Sequence, residues 1–304
     1  MSLLTDIKAR RVDLSLLLVA ALWGASYLSA KTLTEHAPVL TVLSLRFIST
    51  STAMAIIWLF KRDRITQPEW LLGIGLGTSQ ALILFLETSG VSRTSATNAG
   101  LIISLAIIFT PILESIASKN WLPRSFFIAT VTAVVGVALL VSDKGFAAPG
   151  LGDWLMLGAA IFRAIHVTAM GHLTTGKSYS SVSITLLQSI TCGAIYSIFS
   201  IDGIQEAVRT FDIGLWLDLL FLSLLCGAFA FLVTMWAIRK TSSSRASLLL
   251  GTEPVWAVIV GMTIGGERLA LIGFFGAALI IGSSYFGQKI ETQHRLLKPE
   301  PQPS

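Results

Sequence analysis

The sequence predicts an all-α integral membrane protein of ten transmembrane helices, arranged as two inverted five-helix repeats with both termini in the cytoplasm. Three observations carry this. Of 304 residues, 53% are hydrophobic and 13% charged, and the mean hydropathy is +0.75, whereas a soluble domain carries about 25% charged residues. The apolar residues fall in runs of about twenty, the length that crosses ~30 Å of hydrocarbon at 1.5 Å per residue. The second half of the chain repeats the order of the first.

Ten spans follow in order: 13–33, 38–60, 70–89, 95–116, 125–142, 153–174, 179–201, 214–238, 243–264 and 268–287. The first lacks a small-residue cleavage site after its apolar run, so it is expected to stay as a helix and not to act as a leader. Pro38, Pro68 and Pro123 punctuate loops. Residues 1–12 form a cytoplasmic N-terminus, 13–142 the first repeat, 143–152 a Gly- and Pro-bearing linker and 153–287 the second repeat. Residues 288–304 form a polar cytoplasmic tail expected to be disordered. Of the 22 Lys and Arg, fifteen fall on one side of the spans and five on the other. Arg46 and Arg163 lie within spans. The bias places both termini inside. With the net charge of +5 spread over helix ends, nucleic acid is not expected as a partner.

The repeat is visible in particular residues. Asp13-Leu14 before an apolar run matches Asp153-Trp154, Thr94-Ser95 to Pro111 matches Thr241-Ser242 to Pro254, and Gly136-Val-Ala-Leu-Leu140 matches Gly276-Ala-Ala-Leu-Ile280. Five helices per half is an odd number, so the second copy enters from the opposite face. Inverted repeats of this kind place a binding site near the midplane.

Polar residues inside the spans mark that site, because ionisable groups at bilayer depth normally face a cavity. Trp23, Gln80, Arg163, His166 and Glu253 each lie about ten residues into an apolar stretch, or ~15 Å deep. Glu253 precedes Pro254, which is expected to loosen the ninth span. Its carboxylate can hold an ammonium or a proton, or pair with Arg163. The fork of Arg163 matches a carboxylate. Trp23 and Tyr27, four apart, share a helix face. Gln80 and Asn98 offer donors and acceptors, and Phe229 is the aromatic of the eighth span expected to face inward. Ser247 and Gly251 would let a solute approach the backbone. His166 and Glu253 are proton-relay candidates; Pro111 and Pro254 are hinge candidates. Glu87, Glu114 and Glu267, near span ends, read as solvated or capping, and Arg46 as snorkelling or paired near the outer side. Cys192 and Cys226 read as small core residues, not as a disulfide or metal pair. No cofactor or metal is implied. There is no His-Glu-x-x-His, Gly-x-Ser-x-Gly or Cys-x-x-Cys motif and no phosphate loop, so an enzyme is not expected.

Leu22-Trp23-Gly24, Lys31, Pro38, Arg46-Phe47, Thr94-Ser95-Ala96 with Ala99, Pro111, Ala246, Glu253-Pro254, Gly266-Glu267 and Gly276 with Ile280-Ile281-Gly282 together resemble the drug/metabolite transporter superfamily, EamA type. Within it the chain most resembles the YddG-type amino-acid exporters. The resemblance implies a central cavity lined by helices 1, 3, 4, 6, 8 and 9, alternating access, and export of neutral or aromatic amino acids across the inner membrane. It departs from several relatives at Phe162-Arg163, so substrate preference does not carry over. Export of drugs or other metabolites is the alternative, and a non-transporting membrane assembly protein the further one. The expected partners are a small-molecule solute and the lipid bilayer, with a monomer as the default.

Overall fold

The computed structural model describes residues 2–118, 121–141, 149–174, 176–238 and 249–297. No strand occurs among the described residues. The helices are α1 Ser2–His36, α2 Val39–Lys61, α3 Gln67–Val91, α4 Ala96–Ile103, α5 Ala106–Ser118, α6 Arg124–Val141, α7 Leu151–Thr174, α8 Ser181–Ile198, α9 Ile201–Thr210 and α10 Ile213–Leu220. A π-helical segment, Phe221–Phe229, carries α10 into α11 Ala230–Ile238; α12 Glu253–Thr263 and α13 Leu271–Leu297 complete the chain. Among the described residues seven helical stretches are long and apolar enough to cross a membrane: Arg11–His36, Val39–Lys61, Gln67–Val91, Ala96–Leu113, Leu151–Thr174, Ser181–Ile198 and Ile213–Thr234. Arg124–Leu140, Glu253–Thr263 and Leu271–Gly287 are shorter apolar helices.

Local chemistry starts and stops these elements. Pro38 precedes α2, which ends where Arg62 turns left-handed at φ 52°. Before α3, Thr66 and Glu69 form a capping box, in which the Thr66 amide donates to Glu69 Oε2 at 2.7 Å. Glu69 Oε1 also accepts the Ser180 amide at 2.6 Å, so one carboxylate fixes the starts of α3 and α8 together. Ser95 caps α4 by accepting the Asn98 amide at 3.0 Å.

Four features depart from the predicted spans. The fourth span is broken at Ser104–Leu105, where the amides of Leu105 and Ile107 bond three residues back, to Ile102 and Ser104, at 3.1 and 3.0 Å. Pro111 lies inside α5, beyond that break. The eighth span contains the π segment, whose wider turn leaves carbonyls for side chains: Ser223 O takes the Thr50 hydroxyl at 2.9 Å and Cys226 O takes Trp23 Nε1 at 3.0 Å. In the ninth span the helix begins at Glu253, so Pro254 occupies the first turn, where no amide is missed and no preceding turn is struck. The expected loosening around Pro254 is therefore a true helix start. Finally, α13 continues to Leu297, ten residues into the stretch expected to be disordered; residues 288–297 are rich in helix formers. The amphipathic α9 was not predicted, because Asp202, Glu206 and Arg209 interrupt its apolar residues.

The core lies where α1, α4, α7, α12 and the π segment converge, around Tyr27, Ile102, Ile103, Met156, Cys226 and Ala257. Cys192 and Cys226 are buried free thiols within the packed helices. Around this centre α2 packs on α8, α3 on α7 and α8, and α6 on α13. The last pair crosses at two glycines. A methyl group on Gly136 would come within 2.9 Å of the Gly276 carbonyl oxygen, and one on Gly276 within 2.6 Å of that of Gly136. These are the two glycines matched in the sequence repeat, and they meet reciprocally. Large apolar side chains such as Phe60, Leu71, Ile128, Leu217 and Phe275 are exposed around the outside, as a lipid-facing surface requires.

Candidate substrate site

At the centre, four helices bring a charged network together. Glu253 opens α12, where the helix N-terminus favours a carboxylate. Its Oε1 accepts the Tyr27 hydroxyl from α1 and lies 3.5 Å from Arg163 Nη1 of α7. Arg163 Nη2 donates to Glu87 Oε2 of α3 at 3.0 Å. Tyr27, Glu87 and Glu253 are buried, and about a quarter of the Arg163 side chain is exposed. One guanidinium between two carboxylates gives a formal net charge of −1 when both carboxylates are ionised. In a medium of low dielectric that excess asks for a cation or a proton.

The aromatic wall stands beside it. Trp23 Nε1 is held by Cys226 O, and this orients the ring so that the Arg163 guanidinium lies 5.9 Å from its centroid, a cation–π distance. Phe231 also packs on Trp23, with ring centroids 5.9 Å apart. Gly24 lets α1 come this close: a methyl group there would meet the Glu253 carbonyl oxygen at 2.7 Å and the Ala257 nitrogen at 2.8 Å.

The structure thus joins Trp23, Tyr27, Arg163 and Glu253, and adds Glu87 and Phe231. Glu87 was read as a solvated or capping residue. It is instead buried and ion-paired, because α3 extends to Val91 and packs on α7. The missed signal is spacing: Glu87 follows Gln80 by seven residues, two turns along one face. Gln80 is buried on α3. His166 bonds through Nδ1 with Ser79 Oγ at 2.7 Å, not with the carboxylates. Asn98 sits in the first turn of α4. Phe229 turns away from the network. With Trp236, Leu224, Leu232 and Ile57 it lines an apolar groove of about 510 Å³ between α2 and the π segment. Gly251 lies in the turn before α12, and Ser247 lies outside the described residues.

A second, polar cavity of about 730 Å³ opens beyond Tyr27, between α1, α10 and the end of α12. Ser29, Lys31, Glu35, Asp218 and Glu267 line it, and Ser29 Oγ donates to Asp218 Oδ1 at 2.6 Å. Glu267 is a cap, one of the two roles its place near a span end suggested, but of the distant α4. Its two oxygens accept the Ala96 and Thr97 amides at 2.7 and 2.9 Å and fix the start of α4, with Lys31 Nζ 3.8 Å away. Among the described residues no group of His, Cys, Asp and Glu is placed to hold a metal ion.

Comparison with known proteins gives a consistent picture. The model of the EamA-like transporter family matches residues 10–142 and again 150–286. An uncharacterized transporter of Archaeoglobus fulgidus is 26% identical over 90% of this chain and 85% of its own length. A probable amino-acid metabolite efflux pump of Salmonella typhimurium is 25% identical over 92% of this chain and 96% of its own. One of the same description from Escherichia coli is 25% identical, covering 91% and 94%. A solved crystal structure superposes with a TM-score of 0.62 at 17% identity, covering 95% of this chain and 99% of that one, a likeness of fold.

Proposed function

This chain belongs to the EamA-like transporter family and is a membrane transporter of that type; we propose that it exports small metabolites from the cytoplasm, above all neutral or aromatic amino acids, by alternating access about the Arg163 network. In this reading the seven long and three shorter apolar helices are ten crossings of the inner membrane in two inverted repeats of a monomer, with both termini inside. The reciprocal Gly136–Gly276 crossing supports the repeat, as does the double match to one family model. The names of the Salmonella and Escherichia coli relatives support the solute class.

The observation that carries the reading is the buried cluster of one cation and two anions beside an aromatic wall. A solute ammonium takes the place of Arg163 at Glu253, whose 3.5 Å contact is the weaker of the two. The solute side chain then lies against Trp23 and Tyr27, and the polar cavity beyond Tyr27 is the way out. A proton on Glu253 or Glu87 satisfies the same excess charge, so proton and ammonium compete for one place, which is the physical basis for exchange. His166, bonded to Ser79, is the nearest titratable relay on α7.

The test is uptake of radiolabelled amino acids into proteoliposomes of purified protein, with unlabelled competitors and no imposed gradient. Saturable uptake competed by neutral or aromatic amino acids is the expected result. Uptake that no amino acid competes, even with a proton gradient, sinks the assignment. The net −1 of the network favours one alternative, export of cationic drugs; competition between a cationic dye and phenylalanine separates the two.

A further inference from the structure

The central network makes no use of the groove between α2 and the π segment. Ala53 and Ala228 line it with single methyl groups, beside Ile57, Leu224, Leu232 and Trp236. The indole nitrogen of Trp236 is the one polar side-chain atom among the lining residues. Such a surface repels ions and zwitterions and takes hydrocarbon. Thr50 bonds Ser223 O, and from that contact the lining residues climb in number on both walls, from Ala53 to Ile57 and from Leu224 to Trp236. The walls therefore run in parallel, with their later ends together. Leu224 to Trp236 spans roughly 18 Å at 1.5 Å per residue, close to half of a ~30 Å hydrocarbon core. A volume of about 510 Å³ over that length leaves a cross-section of about 28 Å², room for one extended hydrocarbon chain and too narrow for a helix ~10 Å across.

Charge at the later end identifies the headgroup. Lys61 continues the face of Ala53 and Ile57 at intervals of four residues, at the end of the apolar stretch Val39–Lys61. It pairs with Asp63 at 3.1 Å. Arg62 and Arg64 follow in the loop and form no ion pair among the described residues. Three cations against Asp63 give this end a formal charge of +2. In the sequence Arg239 and Lys240 come directly after Ile238, the last residue of α11. Trp236 is exposed, and an indole suits the boundary between hydrocarbon and headgroup. Basic residues at the end of a cleft between membrane helices match an anionic lipid headgroup.

We propose that this groove is a binding site for an anionic phospholipid, with one acyl chain lying along Ala53, Ala228 and Leu232 and the phosphate at Arg62 and Arg64. It requires that the chain lies in a bilayer and is independent of the solute that it carries.

The experiment follows thermal unfolding of the delipidated full-length protein in nonionic detergent against three probes: dioleoylphosphatidylglycerol, dioleoylphosphatidylcholine and glycerol 3-phosphate. The expected result is stabilisation of wild type by phosphatidylglycerol, with half-saturation about tenfold or more below that of phosphatidylcholine, the scale of two basic residues at a membrane surface. Glycerol 3-phosphate, a headgroup without a chain, has no effect. Arg62→Asn combined with Arg64→Gln removes the preference between the two lipids; Asn suits the left-handed backbone at position 62. Ala53→Phe fills the groove and weakens both lipids about tenfold or more. If Ala53→Phe does not fold, Val233→Phe, from the facing wall, carries that arm. Lys289→Gln, on α13, which packs on α6, leaves the response unchanged. Four outcomes overturn the proposal: no response to phosphatidylglycerol or an equal one to phosphatidylcholine in wild type, an equal response to glycerol 3-phosphate, an unchanged response in the filled groove, or a loss in Lys289→Gln as large as in the double variant. Light scattering supplies a fifth: a wild-type dimer that Ala53→Phe splits would assign the groove to a second copy of the chain.

Discussion

Arg163 stands 3.0 Å from Glu87, a residue 76 positions earlier in the sequence. This contact makes Glu87 part of the centre and sets the charge of the network. With Glu253 alone the pair would be neutral; with Glu87 it carries one excess negative charge. On the proposed reading the site accepts positive charge, and each substitution is judged by that.

Arg163→Ala leaves two buried carboxylates without a cation. Breaking a buried pair from one side costs about 3–5 kcal/mol, so the thermal midpoint should fall clearly while transport is abolished. Glu253→Gln also abolishes transport, yet keeps the Arg163–Glu87 pair and most of the stability. Uptake assays beside thermal unfolding of the same preparations check both. Full activity in either variant refutes the assignment.

Glu87→Gln makes the network neutral and lets Arg163 close on Glu253. Affinity for an ammonium-bearing solute should drop about tenfold or more, the scale of one charge-assisted bond. Competition by phenethylamine against a labelled substrate reads this directly. Unchanged competition would show that the excess charge plays no part in recognition.

Gly24 sits where α1 touches the first turn of α12, 2.7 Å from the Glu253 carbonyl oxygen for any added methyl. Gly24→Val should separate the two helices, break the Tyr27–Glu253 bond and cost about 1–3 kcal/mol as overpacking does. Gly75, inside α3, where a methyl group would meet nothing within 4 Å, is the control: Gly75→Ala should not lower stability, since Ala favours a helix interior, and should leave uptake as it is. Thermal midpoints of both variants, measured side by side, test the contrast.

Asp63, in the loop between α2 and α3, has its carboxyl held below the ordinary range by the Ser180 hydroxyl at 2.5 Å and by Lys61 at 3.1 Å. A depressed carboxyl contributes stability that is present above its unfolded value of about 3.9 and is lost as pH falls through the lower folded value. Wild type should therefore exceed Asp63→Asn slightly at pH 6, and the difference should shrink as the pH falls below the unfolded value of about 3.9. Ser180→Ala should remove most of the effect. Unfolding midpoints between pH 6 and pH 3 show it; a gap that widens in acid contradicts the sign.

Much of this architecture was readable from residues alone, for reasons of period and length. Apolar runs near twenty residues specify membrane helices, and Gly136 and Gly276, matched in the repeat, turned out to face each other. The core role of both cysteines was likewise readable, because their place in apolar spans suffices for it, whereas the helix that Glu267 caps lies 171 residues away and was not. The candidate site was readable in part. Arg163, Glu253, Trp23 and Tyr27 stood out as polar or aromatic residues at mid-span depth. Glu87, Phe231 and the Cys226 carbonyl did not: which face of a helix meets which neighbour is not written in one strand of sequence.

By itself, then, the sequence determined that this chain is helical, membrane-embedded and doubled, since those properties follow from composition and periodicity. Only the tertiary structure decided the charge of the centre and the true place of Pro254. It also decided that Phe229 lines the apolar groove beside α2. Each depends on the rotation of one helix against another. Rotation is fixed by packing at close contacts such as Gly24, where the side chain that matters is the one that is absent.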